Sequence, residues 1–350
     1  MSMFLSAEPE GEARPPEQPR RARRWFLRSL AVVAALAVVV VAAAGIYVGS
    51  VSKSFTSQVQ REPLLPPVTS SSPGGGTDDE PAPKPKSSGK TTAVDYVLMG
   101  SDSRETANAG AGRSDTLMVL HLAADRKNAY LVSFPRDLYV PIPDHGKNKI
   151  NAAFAFGGPQ LTVRTLQQLL GTRMDHVALI DFDGFIELTE QLGGVTVYNE
   201  HASESRGYTF PQGTITLKGD QALAFVRERY ELPNGDLDRA ERQRLVVKAI
   251  LAKGMSPQTL ADPAKFTGFV GGISRHLTID DQLTDSEIRK TALSLRMTAD
   301  DVHLLQAPIS GFGTVDGMSI DVVDRAAMTD LATALREDRM DDYLEQHPAR

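Results

Sequence analysis

From position 29 to 52 the chain carries no charged residue, and most of the run is Ala, Val, Leu and Ile. As a helix rising ~1.5 Å per residue it spans about 36 Å, more than the ~30 Å hydrocarbon core of a bilayer. A cleaved signal peptide is the competing reading, but its apolar core runs only ~7 to 15 residues. The run is therefore expected to be a transmembrane helix. Arg20, Arg21, Arg23, Arg24 and Arg28 crowd its entry side, against Lys53 and Arg61 on the exit side. Positive charge stays inside, which predicts a single-pass cell-membrane protein with a cytoplasmic N-terminus and an extracytoplasmic C-terminal domain.

The flanks divide the chain further. Residues 1–28 are rich in Pro, Glu and Arg without apolar period up to the run itself, and are expected to be a disordered cytoplasmic tail. Residues 53–92 contain VTSSSPGGGTDDEPAPKPKSSGK, a Pro/Gly/Ser-rich linker that cannot bury a core. Periodic structure begins near Val94, so 93–350 is expected to be one extracytoplasmic domain. The net charge of −6 argues against a nucleic-acid binder while leaving room for a local basic pocket. With no cysteine, a disulfide framework, a thiolate metal site and a cysteine nucleophile are all excluded.

Within the domain, short apolar runs at 96–99, 116–122, 129–134, 176–180, 195–198 and 302–306 predict strands. Helices are expected at 151–156, 161–170, 182–192, 219–225 and 237–253, with further helical patterns near 263–275, 284–296 and 321–345. This alternation predicts an α/β domain with a mixed central β-sheet and helices on both faces, preceded by one transmembrane helix.

Loops at strand ends are where such domains place ligands. After the first strand, GSDSR supplies Asp102 and Arg104; before the second, GRSD supplies Arg113 and Asp115. After the third, SFPRD supplies Arg136 and Asp137, and Lys149 follows. Two aspartates flanking a glycine-bearing loop suit a hard cation such as Mg²⁺, or serve as turn and capping residues. Asp137 is assigned a structural role, and His121, His145 and His176 are structural or surface residues. Further on, ALAFVRERYELPNGDLDRAERQRLVVK gathers Arg227, Arg229, Arg239, Arg242 and Gln243 with Asp236 and Asp238. If the chain is extended after Phe225, Arg227 and Arg229 point to one side. A helix from Asp236 puts Arg239, Arg242, Gln243 and Val246 on one face, with Asp238 reaching Arg242 one turn on. Planar guanidiniums gathered this way suit a phosphate or pyrophosphate, the alternative being a solvated salt-bridged helix.

The succession VLMGSDSR, GRSDTLMVLHL, LVSFPRDLYVPI, KINAAFAFGG, GFIELTEQLGGVTV, LKGDQALAFVRER and GDLDRAERQ closely resembles the LytR-CpsA-Psr family of cell-wall glycopolymer ligases, over residues 94–253. That resemblance implies transfer of a polymer such as teichoic acid, capsule or arabinogalactan from a polyprenyl-pyrophosphate carrier to peptidoglycan. It implies Asp102 and Asp115 as ligands of Mg²⁺ (or Mn²⁺), and Arg113, Arg136, Arg227 and Arg229 as the catalytic arginines. Arg104, Lys149, Arg242 and Gln243 would hold the substrate pyrophosphate. Phe154, Phe156, Phe182, Phe185 and Leu188 are candidates for the wall of a polyprenyl-tail pocket, or for ordinary core. The expected partners are the lipid-linked glycopolymer, the peptidoglycan acceptor and the membrane. Two alternatives use the same residues: a non-catalytic polyprenyl-lipid-binding or envelope-regulatory module, and a polyprenyl-pyrophosphate hydrolase.

Overall fold

The computed structural model describes residues 59–67, 92–101, 114–254 and 277–348, with 256, 262, 264 and 274 besides. All belong to the second of two units, Ser50–Arg350. The expected tail at 1–28, the transmembrane helix at 29–52 and most of the helical pattern at 263–275 lie outside the described residues. Among the described residues no helix is long and apolar enough to cross a membrane.

Fifteen strands are described, of which seven form the main sheet. They are β1 (Gln60–Glu62), β2 (Val94–Ser101), β3 (Ser114–Leu122), β4 (Ala129–Ser133), β7 (His176–Asp181), β12 (Leu277–Asp280) and β13 (Val302–Gln306), in the order β1-β12-β7-β2-β3-β4-β13. Three pairs are parallel, β1 with β12, β7 with β2 and β13 with β4, and the other three antiparallel, so the sheet is mixed as expected. Hairpins that the sequence pattern did not announce sit at its ends: β5 (Tyr139–Ile142) with β6 (Gly146–Lys149), β9 (Ser203–Ser205) with β10 (Tyr208–Phe210), and β14 (Ile309–Val315) with β15 (Met318–Val323). β8 (Val195–Asn199) pairs with β11 (Gly213–Leu217).

Seven α-helices lie among the described residues: α1 (Ala152–Leu170), α2 (Phe182–Gln191), α3 (Gly219–Arg227), α4 (Asp236–Gly254), α5 (Asp285–Ser294), α6 (Arg325–Glu337) and α7 (Met340–Gln346). Because side chains alternate along a strand, Val97 of β2 joins the core under α1 and α6, where Leu166 and Leu331 are buried. Tyr96, its neighbour, packs toward Ile288 of α5 on the other side. The two helices expected at 151–156 and 161–170 adjoin within α1. Gly157 and Gly158 have non-helical backbone angles and Pro159 follows, so the break appears as a kink, and Gly171 closes the helix in the left-handed region.

Two boundaries differ from the sequence reading. Gln60–Glu62, inside the expected linker, lies on the sheet edge, and Val59, Leu64 and Leu65 are buried. A three-residue strand is too short to show a period, so its pairing with a strand over two hundred residues away leaves no local sign. At the other end the pattern 321–345 divides into β15, α6 and α7, because the Asp324 carboxylate accepts from Ala326 and Ala327 N–H and starts α6 there.

At the end of β2 away from its carboxyl terminus, His121 is fully buried between two carboxylates. Its Nδ1 lies 2.6 Å from Asp95 and its Nε2 3.0 Å from Asp338. Burial pulls the imidazole pKa down, but hydrogen bonds and charge from Asp338 and Asp95 outweigh it and push the value up to about 9. Since the folded value exceeds the unfolded ~6.5, the pair's stabilisation is complete below pH ~6.5 and is lost as pH rises through about 9. Urea unfolding from pH 6 to 9.5 is expected to lose on the order of 3 kcal/mol over that window, and His121→Gln to flatten the slope.

Candidate active site

A cavity of about 650 Å³ opens at the carboxyl ends of the parallel strands β2 and β7, where α/β sheets bind ligands. Its body is apolar. Leu98, Met118 and Ile180 come from the sheet, Phe182 and Phe185 from α2, and Val226 from α3. Its rim is basic, with Arg136, Arg206, Arg227, Arg229 and Arg239 lining it beside Gln243 and Tyr230.

Local structure places each cation. α3 starts against the end of α2, with Gly219 N–H donating to Thr189 Oγ1 at 2.8 Å. The backbone favours glycine at 219, where φ is +57° and a Cβ would displace the Glu190 side chain. The helix continues through Arg227, two residues beyond its expected end, so that residue is helical where the extended reading had it in a strand. There the guanidinium meets the negative end of the helix dipole and lies 4.5 Å from the Phe182 ring centroid. Glu228 then turns extended, and its Oε1 accepts from Tyr230 N–H at 2.6 Å and Glu231 N–H at 3.0 Å. Burial raises the Glu228 carboxyl pKa, but these N–H groups outweigh it and hold it below the usual range. Arg229 stacks 4.7 Å over the Tyr230 ring and donates to its hydroxyl at 2.8 Å. The phenol pKa is lowered by that hydrogen bond and charge, and the ring is 84% exposed.

Asp236 joins the other two arginines, lying 2.6 Å from Arg239 and 3.2 Å from Arg136. Burial raises its pKa, against the pull of Arg239 and Arg136. Arg136 also lies 3.8 Å from Asp137, while Asp137 holds Lys149 at 2.9 Å. Lys149 therefore belongs to an ion pair beside the site and does not line the cavity. Asp321, buried on β15, completes this cluster. Burial and the charges of Asp137 and Asp236 push its carboxyl up to about 6, partly offset by Lys149 and Arg136.

Arg242 is the main correction. It turns away from the cavity and is buried, donating to Asn199 Oδ1 at 2.9 Å, His201 O at 2.7 Å and Ser203 Oγ at 3.0 Å. Its guanidinium lies 4.2 Å from the Phe225 ring centroid. Burial lowers its pKa to about 10, offset in part by Glu228 and Asp238. Asp238 does not bond it but accepts from Asn234 N–H and Nδ2 at the start of α4. Arg239 and Gln243, one turn apart, do reach the cavity, and Gln243 Nε2 also donates to Val226 O at 3.3 Å.

Asp102, Arg104 and Arg113 lie outside the described residues, as does the side chain of Asp115, whose backbone is in β3. Ser101 pairs with Ser114, and Gly100 and Thr116 beside them line the cavity. The segment 102–113 thus leaves and re-enters the sheet at the cavity's edge. Of the aromatic candidates, Phe182 and Phe185 line the cavity, Phe154 and Leu188 are core, and Phe156 is exposed, stacking on His145. Arg206 and Tyr230 had no sequence signal, since one sits in a hairpin turn and the other acts through a stacked neighbour.

The family model described as LytR_cpsA_psr family matches residues 70–337. The chain belongs to the LytR-CpsA-Psr family. A relative from Enterococcus faecalis, polyisoprenyl-teichoic acid--peptidoglycan teichoic acid transferase TagU, is 35% identical over 69% of this chain and 78% of its own length. The crystal structure of Bacillus subtilis TagU superposes with a TM-score of 0.53 at 28% identity, covering 71% of this chain and 96% of that one. TagT bound to LIIa-WTA gives a TM-score of 0.55 at 26% identity, covering 71% and 91%. The shared mixed α/β fold is thus that of the LytR-CpsA-Psr structures.

The two kinds of arginine on α3–α4 separate by experiment. Arg242→Ala leaves Asn199 and Ser203 without their donor and is expected to cost about 2–4 kcal/mol of unfolding free energy. Arg229→Ala, at a half-buried position, is expected to leave stability within about 0.5 kcal/mol while weakening inorganic pyrophosphate binding roughly tenfold. Denaturation curves and calorimetric titration of both variants check this.

Proposed function

We propose that this protein transfers a glycopolymer from a polyprenyl-pyrophosphate carrier to peptidoglycan, in the extracytoplasmic space, anchored by a helix at 29–52. The observation that carries the reading is the amphiphilic cavity. An apolar body of 650 Å³ under a rim of arginines matches one ligand class, an apolar chain ending in a condensed anion. The names of the relatives, which join polyisoprenyl-linked teichoic acid to peptidoglycan, support it.

The reaction exchanges the anhydride bond of the pyrophosphate for a phosphodiester. A peptidoglycan hydroxyl oxygen forms a bond to the phosphorus that bears the glycopolymer. The bridging P–O bond of the pyrophosphate breaks, its electron pair leaves with polyprenyl phosphate, and the hydroxyl proton is released. Negative charge grows on the leaving phosphate, so fixed cations lower the barrier. Arg227 and Arg229, held by Phe182 and Tyr230, face that charge with Arg136 and Arg239, which Asp236 holds at the rim. Phe182 and Phe185 receive the polyprenyl chain and exclude water, which favours transfer over hydrolysis. Arg104, Arg113 and Gln243 add donors to the pyrophosphate.

The donor set fits a hard cation. Two carboxylates, Asp102 and Asp115, flank a segment whose ends lie at the cavity's edge beside Gly100 and Thr116, and Mg²⁺ or Mn²⁺ takes carboxylate and phosphate oxygens together. When bound, the ion supplies charge neutralisation at the pyrophosphate.

Full-length protein incubated with a polyprenyl-pyrophosphate-linked saccharide and peptidoglycan oligomers is expected to join the two, and to stop with chelator or in Asp115→Ala. Arg227→Ala is expected to lower the rate at least a hundredfold with circular dichroism unchanged. Free glycosyl phosphate without joined product would make the protein a hydrolase, and tight lipid binding with neither product a binding module.

A further inference from the structure

A second depression, of about 680 Å³, lies between the β5–β6 hairpin, the end of α1, β15 and α6. A hollow of about 300 Å³ adjoins it, sharing Pro141, Lys147 and Gln168. The floor of the larger depression is apolar, with Val140, Leu170 and Met328 buried beneath it. Lys147, Arg325 and Arg336 line it, and among the described residues none of the three has a carboxylate within ion-pair distance. Arg336 does no more than reach Thr333 Oγ1 at 3.5 Å and lie over Gly171. The acidic residue among those lining either hollow, Asp144, is already paired with Arg164 at 3.3 Å. In a chain of net charge −6, a trough lined by uncompensated cations is a departure from the background.

The trough is also connected to the active site. Tyr139 pairs with Lys149 and Pro141 with Lys147. The hairpin thus begins at Arg136, Asp137 and Lys149, beside the arginine rim, and reaches the trough two residues later, about 7 Å along a strand. β15 makes the same passage: Asp321 lies in the charged cluster and Val322 borders the trough.

We propose that this trough is a subsite for the anionic, phosphodiester-bearing part of the glycopolymer, beyond the sugar linked to the pyrophosphate. The inference rests on the transferase reading for its substrate. Separate cations spaced over an apolar floor, with the Gln168 amide between them, match a chain whose phosphates recur between sugar or polyol units. Phosphates meet the cations and C–H faces the floor. A peptidoglycan strand is a poorer match, since its glycan backbone is neutral and its carboxylates hang on flexible peptides. The subsite favours long anionic polymers over short or neutral ones.

The test uses the full-length chain and a Lys147→Gln/Arg325→Gln/Arg336→Gln variant, three positions with exposed or half-buried side chains outside the cavity. The probe is a lipid-free poly(glycerol phosphate) oligomer at fixed 0.1 M salt, with dextran and soluble peptidoglycan fragments as controls. The variant is expected to melt with the wild type, to bind the oligomer at least tenfold more weakly and to bind the controls unchanged. In transfer assays its KM for a long-chain donor is expected to rise at least fivefold, with that for a single-repeat donor unchanged. Equal oligomer binding by the two proteins would overturn the proposal, as would loss of peptidoglycan binding alone or an equal effect on both donors. If neither protein transfers any donor but the oligomer still loses affinity in the variant, the transferase reading fails and the polyanion site stands.

Discussion

A guanidinium keeps its charge at neutral pH, so gathering five arginines round one cavity mouth creates a repulsion that the fold must offset locally. Four of them are met in different ways. Asp236 stands between Arg136 and Arg239, the Phe182 ring and the end of α3 receive Arg227, and Tyr230 underlies Arg229. Arg136 has Asp137 as well as Asp236 beside it, whereas the rings that hold Arg227 and Arg229 carry no charge of their own. Those two guanidiniums are positioned by contacts that leave their charge uncancelled.

Beneath that rim the cavity is apolar, and the sheet accounts for the combination. Parallel β2 and β7 end together, so their last residues form a floor, while α2, which follows β7, and α3, which follows β11, carry phenylalanine and valine inward. A ligand that satisfies both halves must itself be divided into an oily part and a charged part. Five guanidiniums over such a floor would be poorly served by a free nucleotide, which has no long apolar chain, or by a lipid with a neutral head.

Much of this was legible in the sequence, where local signals were sufficient. Apolar runs placed five of the seven strands of the main sheet and β8 beside them, Gly171 ended α1 where expected, and α4 was found within a residue of its ends. What escaped was what depends on distant partners. β1 is three residues long and exists because β12 offers an edge; β9 and β10 are equally short. At the site, Arg227, Arg229 and Arg136 were recognisable, but helical spacing could not distinguish Arg239 from Arg242. Those residues are three apart, close enough to share a face in projection. The choice between them is made by Asn199, His201 and Ser203, over forty or nearly forty residues upstream, which draw Arg242 inward.

Glu228 places an acidic residue between two of the rim arginines, and its carboxylate is occupied by the backbone N–H groups of Tyr230 and Glu231. The sign of the cavity mouth thus depends on counting. From Phe225 to Tyr230, adding or removing one residue would bring a carboxylate to where a guanidinium now stands, whereas many single replacements would merely weaken the rim. Over evolutionary time this segment should drift in composition more readily than in length, and a designer grafting the site onto another scaffold would have to preserve the spacing before the residues.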